Sequence, residues 1–207
     1  MVNSGVSQDI VTFNIIVDAL CKDGRTEKAQ TLLKLMSTRS VRPDVVTYSS
    51  LIDGLCNSGQ WEEATKLFSE MIGGVEPDTI TYNALMDGYC FQGRMEEAEK
   101  VLHSMVVRGC EPDVISYTIL INGYCRAKKL DEAMQNFEDM RSKGLTPDVI
   151  TYNSLIDGTP PKQTDRQGTS TSQKNGYDGI FPRCINTSMV ANLLVNEPDS
   201  KVMGMLD

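Results

Sequence analysis

The sequence has little of what a catalytic site, a membrane span or a basic nucleic-acid surface requires. Its 207 residues include one histidine and one tryptophan, and 20 Lys and Arg stand against 28 Asp and Glu. The excess acid, a net charge of −8, lies in residues 1–158, because residues 159–207 carry equal numbers of both signs. Proteins that bind nucleic acids mainly through the phosphates normally carry a cluster of Lys and Arg residues. The composition therefore argues against affinity that comes mainly from phosphates.

The sequence also lacks the motifs of catalysis and of cofactor binding. There is no Ser/His/Asp set, no phosphate-cradling glycine loop, and neither the His-x-Glu nor the Cys-x-x-Cys of a zinc deaminase. No apolar run approaches the roughly 20 residues of a membrane span. We therefore expect no enzyme activity, no cofactor, no metal site, no small-molecule substrate and no membrane contact.

What the sequence does contain is one motif written five times. Copies of Thr-Tyr-x-x-Leu-Ile-Asp-Gly-Leu-Cys begin at residues 12, 47, 81, 116 and 151, so that successive copies lie 34 or 35 residues apart. A period of this size is typical of solenoids, in which stacked units cover one another's apolar faces. Four of the six cysteines, Cys21, Cys56, Cys90 and Cys125, recur with this period. Stacked helices would hold them about 10 Å apart, too far for disulfides, so we expect small buried hydrophobes.

Each unit has the pattern of a helix–turn–helix pair. In the first unit, Phe13, Val17 and Leu20 have the spacing of one helix face, and Ala29 and Met36 mark a second helix. A glycine ends the first helix, and a Pro-Asp pair ends the unit and caps the next helix. We predict an all-α solenoid with repeats at 10–44, 45–78, 79–113 and 114–148, a truncated repeat at 149–158, the end of a preceding repeat at 1–9, and an unrelated irregular tail at 159–207.

Some positions depart from the pattern. The second unit is one residue short, and the deletion falls at Gly73 and Gly74, in a connector. In the fourth unit Lys128 replaces the turn glycine, and Asn136 replaces an apolar residue, so we expect a less stable hairpin there. Within the tail, residues 187–196 have the pattern of one short helix. We interpret the tail as foreign sequence joined to a broken array, and residues 1–9 as a sign that the array began further upstream.

The repeated frame resembles the pentatricopeptide repeat family. The frame is Val-Val-Thr-Tyr-x-x-Leu-Ile-Asp-Gly-Leu-Cys, followed by Glu-Glu-Ala, a Met and the Pro-Asp pair. It is most similar to the plain class of 35-residue units, including the plant fertility-restorer-like members. The resemblance implies a right-handed superhelix whose first helices line a groove for single-stranded RNA, with one base bound per repeat. It also implies a mitochondrial or plastid location and RNA-processing proteins as possible partners.

In that family, two side chains of each unit select the base and one aliphatic side chain clamps it. Carried over position by position, the resemblance implies base-reading pairs at Asn14 with Asp44, Ser49 with Asp78, Asn83 with Asp113, and Thr118 with Asp148, while Asn153 opens a fifth pair. The implied clamps are Val11, Val46, Ile80, Ile115 and Ile150.

The chemistry of the aspartates narrows the choice of base. An ionised carboxylate only accepts hydrogen bonds. Uracil and guanine present a ring N–H on the pairing edge, whereas cytosine and adenine present a bare ring nitrogen, so four aspartates favour U and G. The resemblance implies U for Asn with Asp and G for Ser or Thr with Asp. The expected RNA is 5′-UGUG-3′, parallel to the chain.

Other interpretations remain open at this point. An aspartate after proline is a good helix cap, so Asp44, Asp78, Asp113 and Asp148 could serve helix starts alone. The array could also be a protein-binding scaffold, or a truncated product without function. Four bases occur too often at random to address one transcript.

Overall fold

The computed structural model of the chain describes residues 9–158, and this range is helical with short connectors. Four helix hairpins follow one another and are succeeded by a single helix. The helices are α1 (Ile10–Lys22), α2 (Thr26–Thr38), α3 (Val45–Asn57), α4 (Trp61–Met71), α5 (Thr79–Phe91), α6 (Met95–Val107), α7 (Val114–Arg126), α8 (Leu130–Ser142) and α9 (Val149–Gly158).

Local chemistry explains where the helices begin. The first helix of each hairpin starts after an aspartate whose carboxylate accepts a hydrogen bond from the third helical residue's backbone N–H, as Asp44 does from Thr47. Such a cap satisfies one of the four N–H groups that a helix start leaves unpaired. The same cap occurs at Asp9, Asp78, Asp113 and Asp148.

The hairpins stack in two layers. Helices α1, α3, α5, α7 and α9 contact one another in sequence and form the first layer. Each of α2, α4, α6 and α8 packs on the first helix of its own hairpin and on that of the next. The interface between the layers buries Leu51, Ile52, Met71, Met86 and Leu120 completely. The predicted all-α solenoid is therefore correct.

Glycine and cysteine set the spacing of the first layer. A Cβ atom on Gly54 would lie 2.6 Å from Cβ of Cys21, and one on Gly88 would lie 2.5 Å from Sγ of Cys56. Gly123 and Gly158 meet Cys90 and Cys125 in the same way. Burial raises the pKa of the Cys56 and Cys90 thiols to about 12. Cys56, Cys90 and Cys125 are buried packing residues, as the sequence predicted, whereas Cys21 in the first unit is only partly buried.

The fourth hairpin carries both irregularities that the sequence showed. Lys128 has φ of 60°, the left-handed conformation that Gly24, Gly59 and Gly93 adopt at the same turn. Asn136 is buried, and its amide donates a hydrogen bond to the Glu132 carbonyl at 2.9 Å. The amide thus finds the partner that its burial demands, so the strain at this hairpin lies in the turn.

The short second unit has a shorter second helix, whereas its connector, residues 72–78, is one residue longer than the connectors at 39–44, 108–113 and 143–148. The expected deletion in the connector is therefore wrong, and the missing residue is lost from the helix. Helix α4 has 11 residues where α2, α6 and α8 have 13. The other three hairpins leave the second helix through a left-handed residue, Ser40, Gly109 or Gly144. The second hairpin leaves it through Gly73 and Gly74 without one.

Several expectations fall outside the described range. They are the tail of a preceding repeat in residues 1–8, the irregular segment 159–207 and the short helix at 187–196. Within residues 9–158, no helix has the length and apolar character needed to cross a membrane.

Candidate nucleic-acid interface

One face of the first-helix layer carries a column of exposed aliphatic side chains. All five implied clamps lie at the second position of their helices and are between 52% and 69% exposed. The core buries other positions of the same helices, so core packing does not explain why β-branched residues recur at this exposed position. We call this set the aliphatic column: Val11, Val46, Ile80, Ile115 and Ile150.

The first residue of each implied base-reading pair lies three positions after the aliphatic residue of its unit, and so on the same side of the helix. In the first unit, the Asn14 side-chain amide donates hydrogen bonds to the two carboxylate oxygens of Asp44, at 3.1 and 3.3 Å. These residues are 30 positions apart in sequence, and the stacking of α3 on α1 joins them. The predicted pair is therefore a direct contact.

The third unit repeats this arrangement with different residues. The Asn83 amide donates to Asp113 at 3.3 Å, and the Ser116 hydroxyl donates to the Asn83 carbonyl oxygen at 2.7 Å. In the first unit, the Thr47 hydroxyl donates to the Asn14 carbonyl oxygen in the same way. Since an ionised carboxylate can only accept, the amide nitrogen must face the aspartate and the amide oxygen must face the hydroxyl.

The second and fourth units are arranged differently from the implied pairing. The Ser49 hydroxyl lies 2.6 Å from the Thr81 hydroxyl, and the Thr118 hydroxyl lies 2.7 Å from that of Thr151. Thr81 in turn donates to Asp78 at 2.7 Å. The shorter Ser and Thr side chains thus reach the aspartate through a bridging hydroxyl, whereas the longer Asn reaches it directly.

Asp148, the aspartate of the fourth pair, is also linked to its partner through a bridging hydroxyl. Among the described residues, the fifth pair has only its first member. The Thr151 hydroxyl donates to Asp148 at 2.8 Å, so Thr118 and Asp148 share Thr151 as their bridge. Asn153 is exposed on α9.

The aspartates cap helices and also border the exposed face. One oxygen of Asp44, Asp78, Asp113 and Asp148 accepts the helix-start N–H, at 2.8–3.0 Å. Burial alone would raise the pKa of Asp44, but hydrogen bonds from the Thr47 backbone, the Asn14 amide and the Thr47 hydroxyl outweigh it and lower that pKa. The Asp44 carboxylate is therefore ionised at neutral pH and presents acceptors only. The capping interpretation and the base-reading interpretation are compatible.

A line of carboxylates lies two helical turns beyond the aliphatic column, on the same face. Asp53 and Asp87 are seven residues after Val46 and Ile80 and are exposed. Neighbouring helices partly desolvate both groups, which raises the pKa of each, and the charge of Asp87 raises that of Asp53 further. Asp18 and Asp157 occupy the same position, and Asn122 replaces the acid in the fourth unit. This part of the face repels polyanions.

Sequence reasoning missed the bridging hydroxyls at Thr47, Thr81, Ser116 and Thr151. All four are completely buried. The signal was present, because the first position of every copy of the motif is Thr or Ser. The link was not visible because each hydroxyl belongs to one unit and contacts the implied base-reading residue of the unit before it.

A second missed contact joins neighbouring hairpins at the start of their second helices. The Arg94 guanidinium stacks on the Trp61 ring at 4.1 Å from its centroid and donates to Glu97 at 2.8 Å. Trp61 thus acts as a packing residue between the second and third hairpins.

Among residues 9–158, no three His, Cys, Asp or Glu side chains are grouped as metal ligands.

Family comparisons agree with the repeat architecture. A model described as the PPR repeat family matches residues 8–57, 77–126 and 113–159. A second model, described as the PPR repeat, matches residues 46–73. Together these stretches cover well over half of the sequence, so the chain belongs to the PPR (pentatricopeptide) repeat family. A search of the curated proteins gave no match.

Solved structures show the same architecture. PPR10 in complex with an 18-nt psaJ RNA element is 29% identical over 76% of this chain, with a TM-score of 0.69. PPR10 from maize is 30% identical over 76% of this chain, with a TM-score of 0.59. The PPR domain of Arabidopsis thaliana PRORP1 in complex with tRNA is 19% identical over 72% of this chain, with a TM-score of 0.62, which shows the fold alone. The chain spans less than a quarter of PPR10, 23% in the RNA complex.

Proposed function

We propose that residues 9–158 bind single-stranded RNA with one base at each of four sites, and that the preferred sequence is 5′-UGUG-3′. The observation that carries the proposal is the regular placement of an aspartate that an Asn, Ser or Thr side chain contacts directly or through one hydroxyl, next to an exposed aliphatic residue. PPR10, which has the same fold, was solved with RNA. No catalytic step is part of this proposal.

The Asn units offer a donor next to an acceptor. In the first unit, one N–H of the Asn14 amide binds Asp44 and the amide oxygen is occupied by Thr47. The second N–H and a carboxylate oxygen remain for a ligand. Uracil presents a carbonyl oxygen beside its ring N–H, which is the complementary pattern. Cytosine would place its bare ring nitrogen against the carboxylate.

The Ser and Thr units offer two acceptors. The Thr81 hydroxyl donates to Asp78, so Ser49 must donate its own proton to Thr81 or to the Val45 carbonyl, which is 2.7 Å away. Ser49 therefore presents a lone pair of its oxygen toward the exposed face. The neighbouring Asp78 carboxylate oxygen also accepts hydrogen bonds. Guanine has two adjacent donors, the ring N–H and the amino group, and adenine lacks the first. The same argument applies to Thr118, Thr151 and Asp148.

The aliphatic column supplies contact area that does not depend on base identity. Val46 and Ile80 stand on successive helices and are each more than half exposed, so a base between two such side chains would cover apolar surface. Stacking and edge contacts of this kind contribute on the order of 1–3 kcal/mol per base. Because the adjoining surface is acidic, affinity rests on these contacts more than on phosphates, and its salt dependence should be shallow.

A role in organelle RNA processing or stabilisation is the biological part of the proposal. Its support is the similarity of the repeats to plain 35-residue, fertility-restorer-like units. A module without chemistry of its own would act by blocking nucleases, remodelling an RNA stem or recruiting processing proteins.

Binding to two matched oligonucleotides tests the proposal. We expect the purified chain to bind a single-stranded RNA with a central UGUG in a uridine-poor, unstructured context more tightly than the same RNA with CACA. Fluorescence anisotropy at two salt concentrations measures both affinity and salt slope. Equal binding of the two RNAs would contradict base selection, and absence of binding to either would favour a protein-binding scaffold.

A further inference from the structure

We propose that the buried hydroxyls of Thr47, Thr81, Ser116 and Thr151 determine base specificity by fixing which hydrogen-bonding groups the base-reading side chain turns outward. The inference rests on the proposed function. It adds one residue to each base-reading pair, and that residue belongs to the next unit of the array.

The burial of these hydroxyls distinguishes a positioning role from direct contact with RNA. All four hydroxyl residues have 0% of their surface exposed. They therefore cannot touch RNA, and any effect on base preference must pass through Asn14, Ser49, Asn83 or Thr118. They are positioning residues.

In the Asn units the hydroxyl acts as a donor. The Ser116 hydroxyl lies 2.7 Å from the Asn83 oxygen and 2.9 Å from an Asp113 carboxylate oxygen, and it accepts from the Asp113 backbone N–H at 3.2 Å. Its single proton goes to the nearer Asn83 oxygen, because an amide oxygen can only accept. The Asp113 oxygen near Ser116 also accepts the Ser116 backbone N–H at 2.9 Å. Without the hydroxyl, the Asn83 oxygen would lose this donor, and the amide could rotate to present oxygen to the base. The selection of U over C depends on that orientation.

In the Ser and Thr units the same hydroxyl acts as an acceptor. Thr151 donates its proton to Asp148 at 2.8 Å, so the 2.7 Å contact with Thr118 is a hydrogen bond donated by Thr118. Removing the Thr151 hydroxyl would release the Thr118 proton to point toward the base. The site would then offer a donor, which guanine's two N–H groups do not match.

The inference gives the single helix α9 a function. Helix α9 has no second helix within the described residues, yet it contributes both Thr151 and its cap Asp148 to the site that Thr118 opens. The fifth motif thus completes the fourth site.

Paired substitutions at two positions test the inference. Ser116→Ala removes one oxygen atom, and Ser116→Thr keeps the hydroxyl in the form that the other three units use. Binding is measured to UGUG RNA and to the variant with C at the third base. We expect Ser116→Ala to lower the U-over-C ratio by about threefold to tenfold, the usual effect of one lost hydrogen bond, and Ser116→Thr to keep it.

The second pair is Thr151→Val and Thr151→Ser, measured against G and A at the fourth base. Thr151→Val should lower the G-over-A ratio by a similar factor, and Thr151→Ser should keep it. Each substitution should leave the ratio at the other base unchanged, since a loss of helix capping or of overall stability would weaken all RNAs alike. Two independent sites keep the test decisive if one variant fails to fold.

The outcomes distinguish the inference from the proposed function. If the unmodified chain does not prefer UGUG, the proposed function is wrong. If it prefers UGUG, and Ser116→Ala and Thr151→Val fold but keep both ratios, the positioning role is wrong. Loss of the ratio in the hydroxyl-retaining variants as well would show that packing, and not the hydroxyl, is responsible.

Discussion

Sγ of Cys56 occupies the space that a Cβ atom on Gly88 would fill, at 2.5 Å. Because α3 and α5 approach each other through this contact, it sets the spacing between successive proposed base sites. We predict that Gly88→Ala lowers the free energy of unfolding by about 1–2 kcal/mol, since overpacking outweighs the gain in helix propensity. Urea denaturation followed by circular dichroism measures the change.

Gly74→Ala is the matched control, because nothing lies within 4 Å of its added Cβ. It should change stability by less than about 0.5 kcal/mol. If Gly88→Ala is as stable as the unmodified chain, the contact between Gly88 and Cys56 does not set the distance between α3 and α5.

The turn of the fourth hairpin offers a stabilising change. Lys128 adopts φ of 60°, which costs a non-glycine residue roughly 1–2 kcal/mol. Lys128→Gly should therefore raise the midpoint of thermal unfolding, and Lys128→Ala should not, because alanine keeps the backbone strain while removing the charge. If Lys128→Ala stabilises as much as Lys128→Gly, the charge and not the conformation is the source of the cost.

The acidic line beside the aliphatic column should weaken RNA binding without affecting specificity. The raised pKa of Asp53 means that its ionised form is less favourable in the folded chain, a loss that sets in as pH rises through the ordinary value of 3.8. We predict that Asp53→Asn tightens binding of every RNA by about twofold at low salt and less at high salt. The natural Asn122 shows that the fold accepts this residue.

Glu63→Gln provides the control for that experiment, because Glu63 is exposed on α4, in the other layer. It removes the same charge away from the proposed RNA path. A twofold gain from Glu63→Gln as well would assign the effect to net charge. A change in the U-over-C ratio from Asp53→Asn would show that this line contacts bases.

The sequence predicted the helices and the buried cysteines because both follow from short-range patterns. Phe13 with Val17 and the Pro-Asp caps mark each helix within a single unit. The contacts between units were harder to predict. The pairing of Asn14 with Asp44 came only from family resemblance, and the bridge from Ser49 through Thr81 to Asp78 was not predicted. These contacts depend on the stacking distance, which no single repeat specifies.

The measurement that tests the central claim most directly is a base-preference panel for Asp148→Asn. Asparagine also caps helices well, so the substitution leaves α9 intact while replacing an acceptor-only group with one that donates. Binding is measured to UGUG RNA and to every RNA that differs from it at a single base. The account predicts that preference moves from G toward A, whose bare ring nitrogen needs a donor, while the first three bases keep their preferences. An unchanged preference for G in the folded variant would contradict the account.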